Sequence, residues 1–303
     1  ITQYRILKKL KKCDNIVTVK NFVPSKGFIS GQQPICLMER IHGNTLHQKI
    51  QGENDIDIHK FLLDMINALK YMKQNKVVHL DLKPENIMIE NDTNRAVIID
   101  FGSAVCHDLE NTFNYKPIFE GTILYSSPNR TEQMYENLDE KDDIWSLGTI
   151  VYEILYKQPF IKNNINNLRH KNIRIMYKKS KLTNKNISNK INIENKQLEN
   201  LLIKMLTLDK SQRITLEQIE THPFILNNHL MNVLGINYKG IYKRNNQYYF
   251  ENTPLGNDFN KIHNFIKNRG KLNYNKLKNY MSLETNNHLM NVLGINYKGI
   301  YKR

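Results

Sequence analysis

Cysteines are scarce in this chain of 303 residues: only Cys13, Cys36 and Cys106 occur. An odd, widely spaced set makes neither a disulfide framework nor the paired spacing of a zinc site, so a reducing, cytoplasmic compartment fits best. No run of 18 apolar residues is present, so no helical membrane span is expected. The chain begins at Ile1 without a charged-then-apolar leader, which argues against a signal peptide and reads as a piece of something longer. Disorder throughout is excluded by a hydrophobic content of 40%, enough to bury a core.

Acidic residues are outnumbered, 29 to 44. The excess is local: residues 161–197 and 227–303 each carry a net charge of +9, and everything else sums to −3. Asn, Lys and Ile number 42, 34 and 36, and all three have codons rich in A and T. A skewed genome therefore accounts for much of the basicity without an anionic partner, and is favoured over a nucleic-acid surface. The tail mixes Tyr238, Tyr242, Tyr248, Tyr249 and Tyr274 with lysines, which is also the composition of a single-strand stacking surface. No known nucleic-acid motif accompanies it. Asn227–Arg244 recurs without change as Asn286–Arg303, 59 positions on. Distant identical copies point to recent duplication or an artefact of assembly rather than a solenoid, whose repeats are tandem and imperfect.

Along the chain, residues 4–12 are helical in period. Ile16–Val19 and Ile35–Met38 read as strands joined by a turn from Pro24 to Pro34. Phe61, Leu62, Met65, Ile66, Leu69 and Met72 predict an amphipathic helix over 57–74. Short strands follow at Val77–Val78, Ile87–Ile89 and Val97–Ile99. A helix over 143–156, apolar nearly all round, should be buried. Helices are predicted at 198–206 and 215–220.

The chemistry lies in His79-Leu80-Asp81-Leu82-Lys83-Pro84-Glu85-Asn86, followed fourteen residues later by Asp100-Phe101-Gly102. Phosphoryl transfer from ATP needs a group to orient the attacking hydroxyl, metal ions on the phosphates and positive charge at the transferring group. Asp81 can accept the hydroxyl proton and Lys83 can reach the γ-phosphate. Asn86 and Asp100 offer oxygen ligands to a hard cation such as Mg²⁺. The flanking strands Ile87–Ile89 and Val97–Ile99 would hold these groups on a rigid hairpin, and positioning is most of this catalysis.

These residues resemble the catalytic loop and metal-binding triplet of the eukaryotic-type protein kinase family. Gly121–Pro128 resembles its substrate-docking segment. Asp143–Gly148 resembles the start of its central helix, whose aspartate braces the catalytic loop. Asp209–Arg213 and His222–Phe224 resemble its last helices. Leu37–Ile41 resembles the hinge, with Met38 as gatekeeper and Glu39 and Ile41 at adenine; Met88 would pack under the base. The resemblance covers residues 1–226 and leaves 227–303 as a basic tail. It implies a bilobal α+β fold, mostly the helical large lobe with a partial small lobe. It also implies ATP and Mg²⁺ as ligands, a protein substrate phosphorylated on Ser or Thr (the pattern of Lys83 and Thr122), and His79 stacked in the core. The catalytic set is then Asp81, Lys83 and Asn86. Glu39, Ile41, Met88 and Asp100 serve the nucleotide, and Asn86 and Asp100 hold metal. Lys178, Lys179, Lys181 and Lys185 could favour acidic substrates.

The sequence departs from the family pattern in four places. No G-x-G-x-x-G occurs; Gly27 and Gly31 lie between strands, and the phosphate lid and its strand lysine are expected upstream of Ile1. Residues 1–40 would then be loosely held and the chain by itself nearly inactive. Gln3 stands where the helix glutamate belongs. Leu80 replaces the arginine that binds an activation-loop phosphate, so that control should be missing. Asn129 replaces a glutamate, leaving Arg213 at most one hydrogen bond, at a cost of roughly 3–5 kcal/mol unless repacking or water compensates. A pseudokinase scaffold is the alternative that Gln3 and Asn129 favour, and a nucleic-acid-binding protein acting through the tail is a third. Oligomeric state is not legible.

Overall fold

A computed structural model describes residues 2–24, 35–52, 56–109, 123–130, 138–161 and 182–225, together with backbone strands at 241–244, 247–250 and 253–256. The chain divides into two compact units, Ile1–Ile225 and Leu226–Arg303.

The first unit opens with helix α1 (Thr2–Lys9), which buries Ile6 and Leu7 while Leu10 follows them into the core. Within the first forty residues, where loose holding is expected, this helix has its apolar face docked. Strands β1 (Val19–Val23) and β2 (Ile35–Met38) form an antiparallel pair, and Tyr4 of α1 stacks on Phe22 of β1 with ring centroids 4.8 Å apart. β1 begins three residues later than the apolar run 16–19 predicts. Ile16 and Val17 are apolar because they are buried against the next sheet: the Val17 amide donates to the Ile98 carbonyl at 2.9 Å, and Ile98 donates back to Asn15 at 3.0 Å.

Strands β3 (Gly43–Thr45), β5 (Ile87–Glu90) and β6 (Ala96–Ile98) make the sheet that carries the site, in the order β3-β5-β6. β5 and β6 pair antiparallel, Ile87 with Ile98 and Met88 with Val97, giving the predicted hairpin. Gly43 is required at its place: a Cβ there would lie 2.0 Å from the Ile89 carbonyl oxygen. Thr45 caps α2 (Leu46–Gln51) in a reciprocal arrangement with Gln48. A second small pair joins β4 (Val77–Val78) to β7 (Val105–Cys106).

Helix α3 (Ile58–Gln74), capped by Asp57, buries the predicted stripe of Phe61, Leu62, Met65, Ile66, Leu69 and Met72. α4 (Glu140–Tyr156) starts three residues before its predicted span, because Asp139 and Asp142 form a capping box ahead of the apolar run. It is buried from Asp142 to Ile154. Gly148 lets it approach α6 (Lys196–Met205), where a Cβ would lie 3.0 Å from the side chain of Leu206. α5 (Asn184–Lys190) and α7 (Leu216–Glu220) complete the described helices of this unit.

In the second unit, β8 (Ile241–Arg244), β9 (Gln247–Phe250) and β10 (Thr253–Gly256) form an antiparallel meander. β8 is the end of the first repeat copy. Tyr242, Tyr248 and Tyr249 lie in these strands, whereas Tyr238, Tyr274 and the second copy fall outside the described residues.

Candidate active site

His79 to Asn86 form the loop between β4 and β5. Its backbone is held from α4: both oxygens of the Asp143 carboxylate accept main-chain amides, from His79 at 2.8 Å and from Leu80 at 2.9 Å. Burial pushes Asp143 up to about 7, while these two amides and the charge of Arg130 pull the other way. His79 is fully buried, edge-on to Phe101 at 4.8 Å, and accepts the Asp81 amide on Nδ1 at 3.2 Å. Burial lowers it to about 4, so it is a neutral structural imidazole at physiological pH.

Three of the predicted site residues meet at one carboxylate. Asp81 Oδ2 accepts from Asn86 Nδ2 at 3.1 Å and lies 3.1 Å from Lys83 Nζ. Asn86 Nδ2 also donates to the Asp81 carbonyl at 2.9 Å. With its nitrogen committed to Asp81, the amide oxygen of Asn86 is the end left for a cation. The Ile99 amide donates to the Asn86 carbonyl at 3.0 Å, and Asp100 is the next residue along the chain. Asp100 is exposed; its Oδ1 accepts the Gly102 amide at 2.8 Å and the Gln3 side-chain amide at 3.4 Å. One carboxylate and one amide suit a hard cation that takes its remaining ligands from phosphate and water. Among the described residues no cluster of three His, Cys, Asp or Glu side chains forms a self-sufficient metal cage.

The other predicted nucleotide residues have partners of their own. Glu39 is clasped to Thr18: the Glu39 amide donates to the Thr18 carbonyl at 2.9 Å, and Glu39 Oε1 accepts the Thr18 amide at 2.7 Å. Ile41 is half-buried against the core, and the Asn91 amide donates to the adjacent His42 carbonyl at 3.0 Å. Met88 is half-buried on β5, paired with Thr45 and Val97. Met38 is 38% exposed at the end of β2. Gly27, Gly31, Gly121, Thr122, Lys178, Lys179 and Lys181 fall outside the described residues, and Lys185 is exposed on α5.

Arg213 corrects the expectation of an underpaired cation. Its guanidinium donates to Asn129 Oδ1 at 2.9 Å, to Ser127 Oγ at 3.2 Å, and to the carbonyls of Thr207, Lys141 and Leu208 at 2.9, 2.8 and 3.3 Å. It also lies over Trp145, 5.0 Å from the ring centroid. Neutral acceptors from three stretches of chain thus receive the donors of this guanidinium.

Two features escaped the sequence reading. Arg130 is buried and its Nη1 donates to the Leu80 carbonyl; a buried arginine after a proline and an asparagine carries no sequence signal. Beside the loop, a cavity of about 580 Å³ is lined in part by His47, Gln51, Glu153 and Lys157. Glu153 Oε2 accepts the Tyr125 hydroxyl at 2.6 Å. Burial raises the Glu153 carboxyl, and the negative charge of Glu85 adds to the shift. A glutamate inside an otherwise apolar helix was the available clue.

Residues 1–225 match the sequence profile described as the protein kinase domain. The Aurora kinase of Candida glabrata is 29% identical over 236 residues, covering 75% of this chain and 61% of that protein. The Aurora kinase of Saccharomyces cerevisiae is 28% identical over 235 residues, with 75% and 60% covered. The chain thus spans about three fifths of the length of these curated relatives. Among solved structures, the kinase PK-1 of Cydia pomonella granulovirus shares the fold, with a TM-score of 0.53 at 21% identity over 74% of this chain and 80% of that one. The chain belongs to the protein kinase family.

Proposed function

We propose that the protein transfers the γ-phosphate of ATP to a serine or threonine hydroxyl of a protein substrate. The observation that carries this reading is the meeting of Asp81, Lys83 and Asn86 at one carboxylate. Asp81 orients the hydroxyl and takes its proton at Oδ2. Lys83 keeps a fixed positive charge within 3.1 Å of that oxygen, where negative charge develops on the transferring group. Asn86 and Asp100 would hold Mg²⁺, which would neutralise phosphate charge. Glu39 and Ile41 offer main-chain groups to adenine, and Met88 an apolar floor. Three free cysteines support a reducing, intracellular setting. Among the described residues, no helix is long and apolar enough to cross a membrane.

For the substrate, Lys178, Lys179, Lys181 and Lys185 would suit an acidic side chain, whereas the carboxylate beside the loop would suit a basic one. Exposed Glu85 places negative charge there, with His47 3.7 Å away. The test is incubation of the full-length protein with radiolabelled ATP, Mg²⁺ and degenerate peptides, followed by phosphoamino-acid analysis. Phosphoserine and phosphothreonine are expected, and the acidic or basic residues enriched around them show which of these charges selects the substrate. Phosphotyrosine alone would contradict the reading. Nucleotide binding without any transfer would leave the pseudokinase in its place.

A further inference from the structure

Leu80 occupies a backbone conformation that its side chain disfavours. Its φ is 65°, in the left-handed region, where a Cβ crowds the following carbonyl oxygen. The side chain is buried in a small apolar cluster with Val78, Val105 and Leu138. Such a conformation persists only where the surroundings over-determine it. Here they act on both ends of the residue. Asp143 accepts the Leu80 amide, and Arg130 Nη1 donates to the Leu80 carbonyl. Arg130 is 6% exposed, and its charge favours the ionised form of Asp143. An anion thus holds the N–H of Leu80 and a cation holds its C=O, and each lessens the cost of burying the other. The next residue is Asp81. The two holding groups come from different places: Asp143 from α4, and Arg130 from the 123–130 segment that also carries Ser127 and Asn129.

We propose that Arg130 is a positioning residue: its guanidinium fastens the 123–130 segment to the catalytic loop at the Leu80 carbonyl and thereby fixes Asp81 in place. The consequence for turnover rests on the kinase reading above; the contact itself does not. A guanidinium suits the task because it is planar, always charged and offers several donors. A lysine ammonium is a point charge that meets a carbonyl and a neighbouring carboxylate less well at once. The clamp joins two segments without a phosphate, at the position where an apolar Leu80 offers no charge to bind one.

Arg130→Met and Arg130→Lys in the full-length protein test this. The measurements are melting curves, kcat and KM for ATP, and hydrogen exchange of the amides from His79 to Leu82. Both variants should lose kcat, by roughly tenfold to a hundredfold in the methionine variant and less in the lysine variant. KM for ATP should stay within about twofold. Exchange at Leu80 and Asp81 should quicken while α3 and α6 keep their protection. Wild-type kcat and wild-type exchange in both variants would overturn it. Should the methionine variant fail to melt cooperatively, the lysine variant, which keeps the charge, decides. An inactive wild type would sink the kinase reading, whereas exchange at Leu80 would still decide the clamp.

Discussion

At the scale of single residues, the least legible part of the sequence was how buried charge is satisfied. A glutamate-to-asparagine departure at Asn129 reads as a lost ion pair, yet Arg213 finds five acceptors from Ser127, Asn129, Lys141, Thr207 and Leu208. These come from three separate stretches of chain, so no local pattern could announce them. Arg213→Leu should therefore destabilise the protein by about 3 kcal/mol, because several buried acceptors lose their donor at once. Asn129→Ala removes one acceptor and should cost about 1 kcal/mol. Urea unfolding of both variants checks the order; equal costs would show that the carbonyls contribute nothing. Asp81, Lys83 and Asn86, in contrast, could be read as a candidate set because they lie within six residues, and the structure brings them to one carboxylate. The neutral amide of Gln3 was legible as a departure, but its bond to Asp100 was not, because it spans 97 positions.

At the scale of elements, α3 and α4 stood out because length and burial stamp a period on seventeen residues each. β1 was misplaced because Ile16 and Val17 look like strand residues while serving as core. β3 and β7, with three and two residues, are too short to leave a pattern. β3 still has a firm requirement at Gly43. Gly43→Ala drives a Cβ into the Ile89 backbone and should cost roughly 1–3 kcal/mol. β5 leads directly from Asn86, so turnover should fall as well; a melting point and kcat equal to wild type would show that the sheet shifts freely. Lys73, near the end of α3, reaches Glu140 of α4 at 2.7 Å and Glu217 of α7 at 2.8 Å. Its hydrogen bond holds Glu217 at about 2, below the usual 4.5. A depressed carboxylate stabilises the fold above its unfolded value and loses that contribution as pH falls through the folded one. Lys73→Met should therefore be less stable than wild type at pH near 7, with the gap closing between roughly pH 4.5 and 2. A gap that persisted at the acid end would mean that Lys73 acts through packing alone.

At the scale of the whole molecule, the loop of this family member is held by internal contacts. Leu80 is apolar and buried, Asp143 grips its amide, and the usual phosphate-binding arginine is absent from that position. Activity of the full-length protein should therefore survive phosphatase treatment, whichever of Ser103, Thr112 or Tyr115 carries phosphate. A large loss traced to one of those positions would refute it. The central claim is narrower: Asp81 takes part in the chemical step, while nucleotide affinity resides in other groups. The most direct measurement compares wild type with Asp81→Asn in the full-length protein, following phosphotransfer to a Ser/Thr peptide and ATP·Mg²⁺ binding in parallel. The account expects transfer to fall by about 10² to 10⁴ with the dissociation constant for nucleotide nearly unchanged. Wild-type turnover in the variant would contradict it.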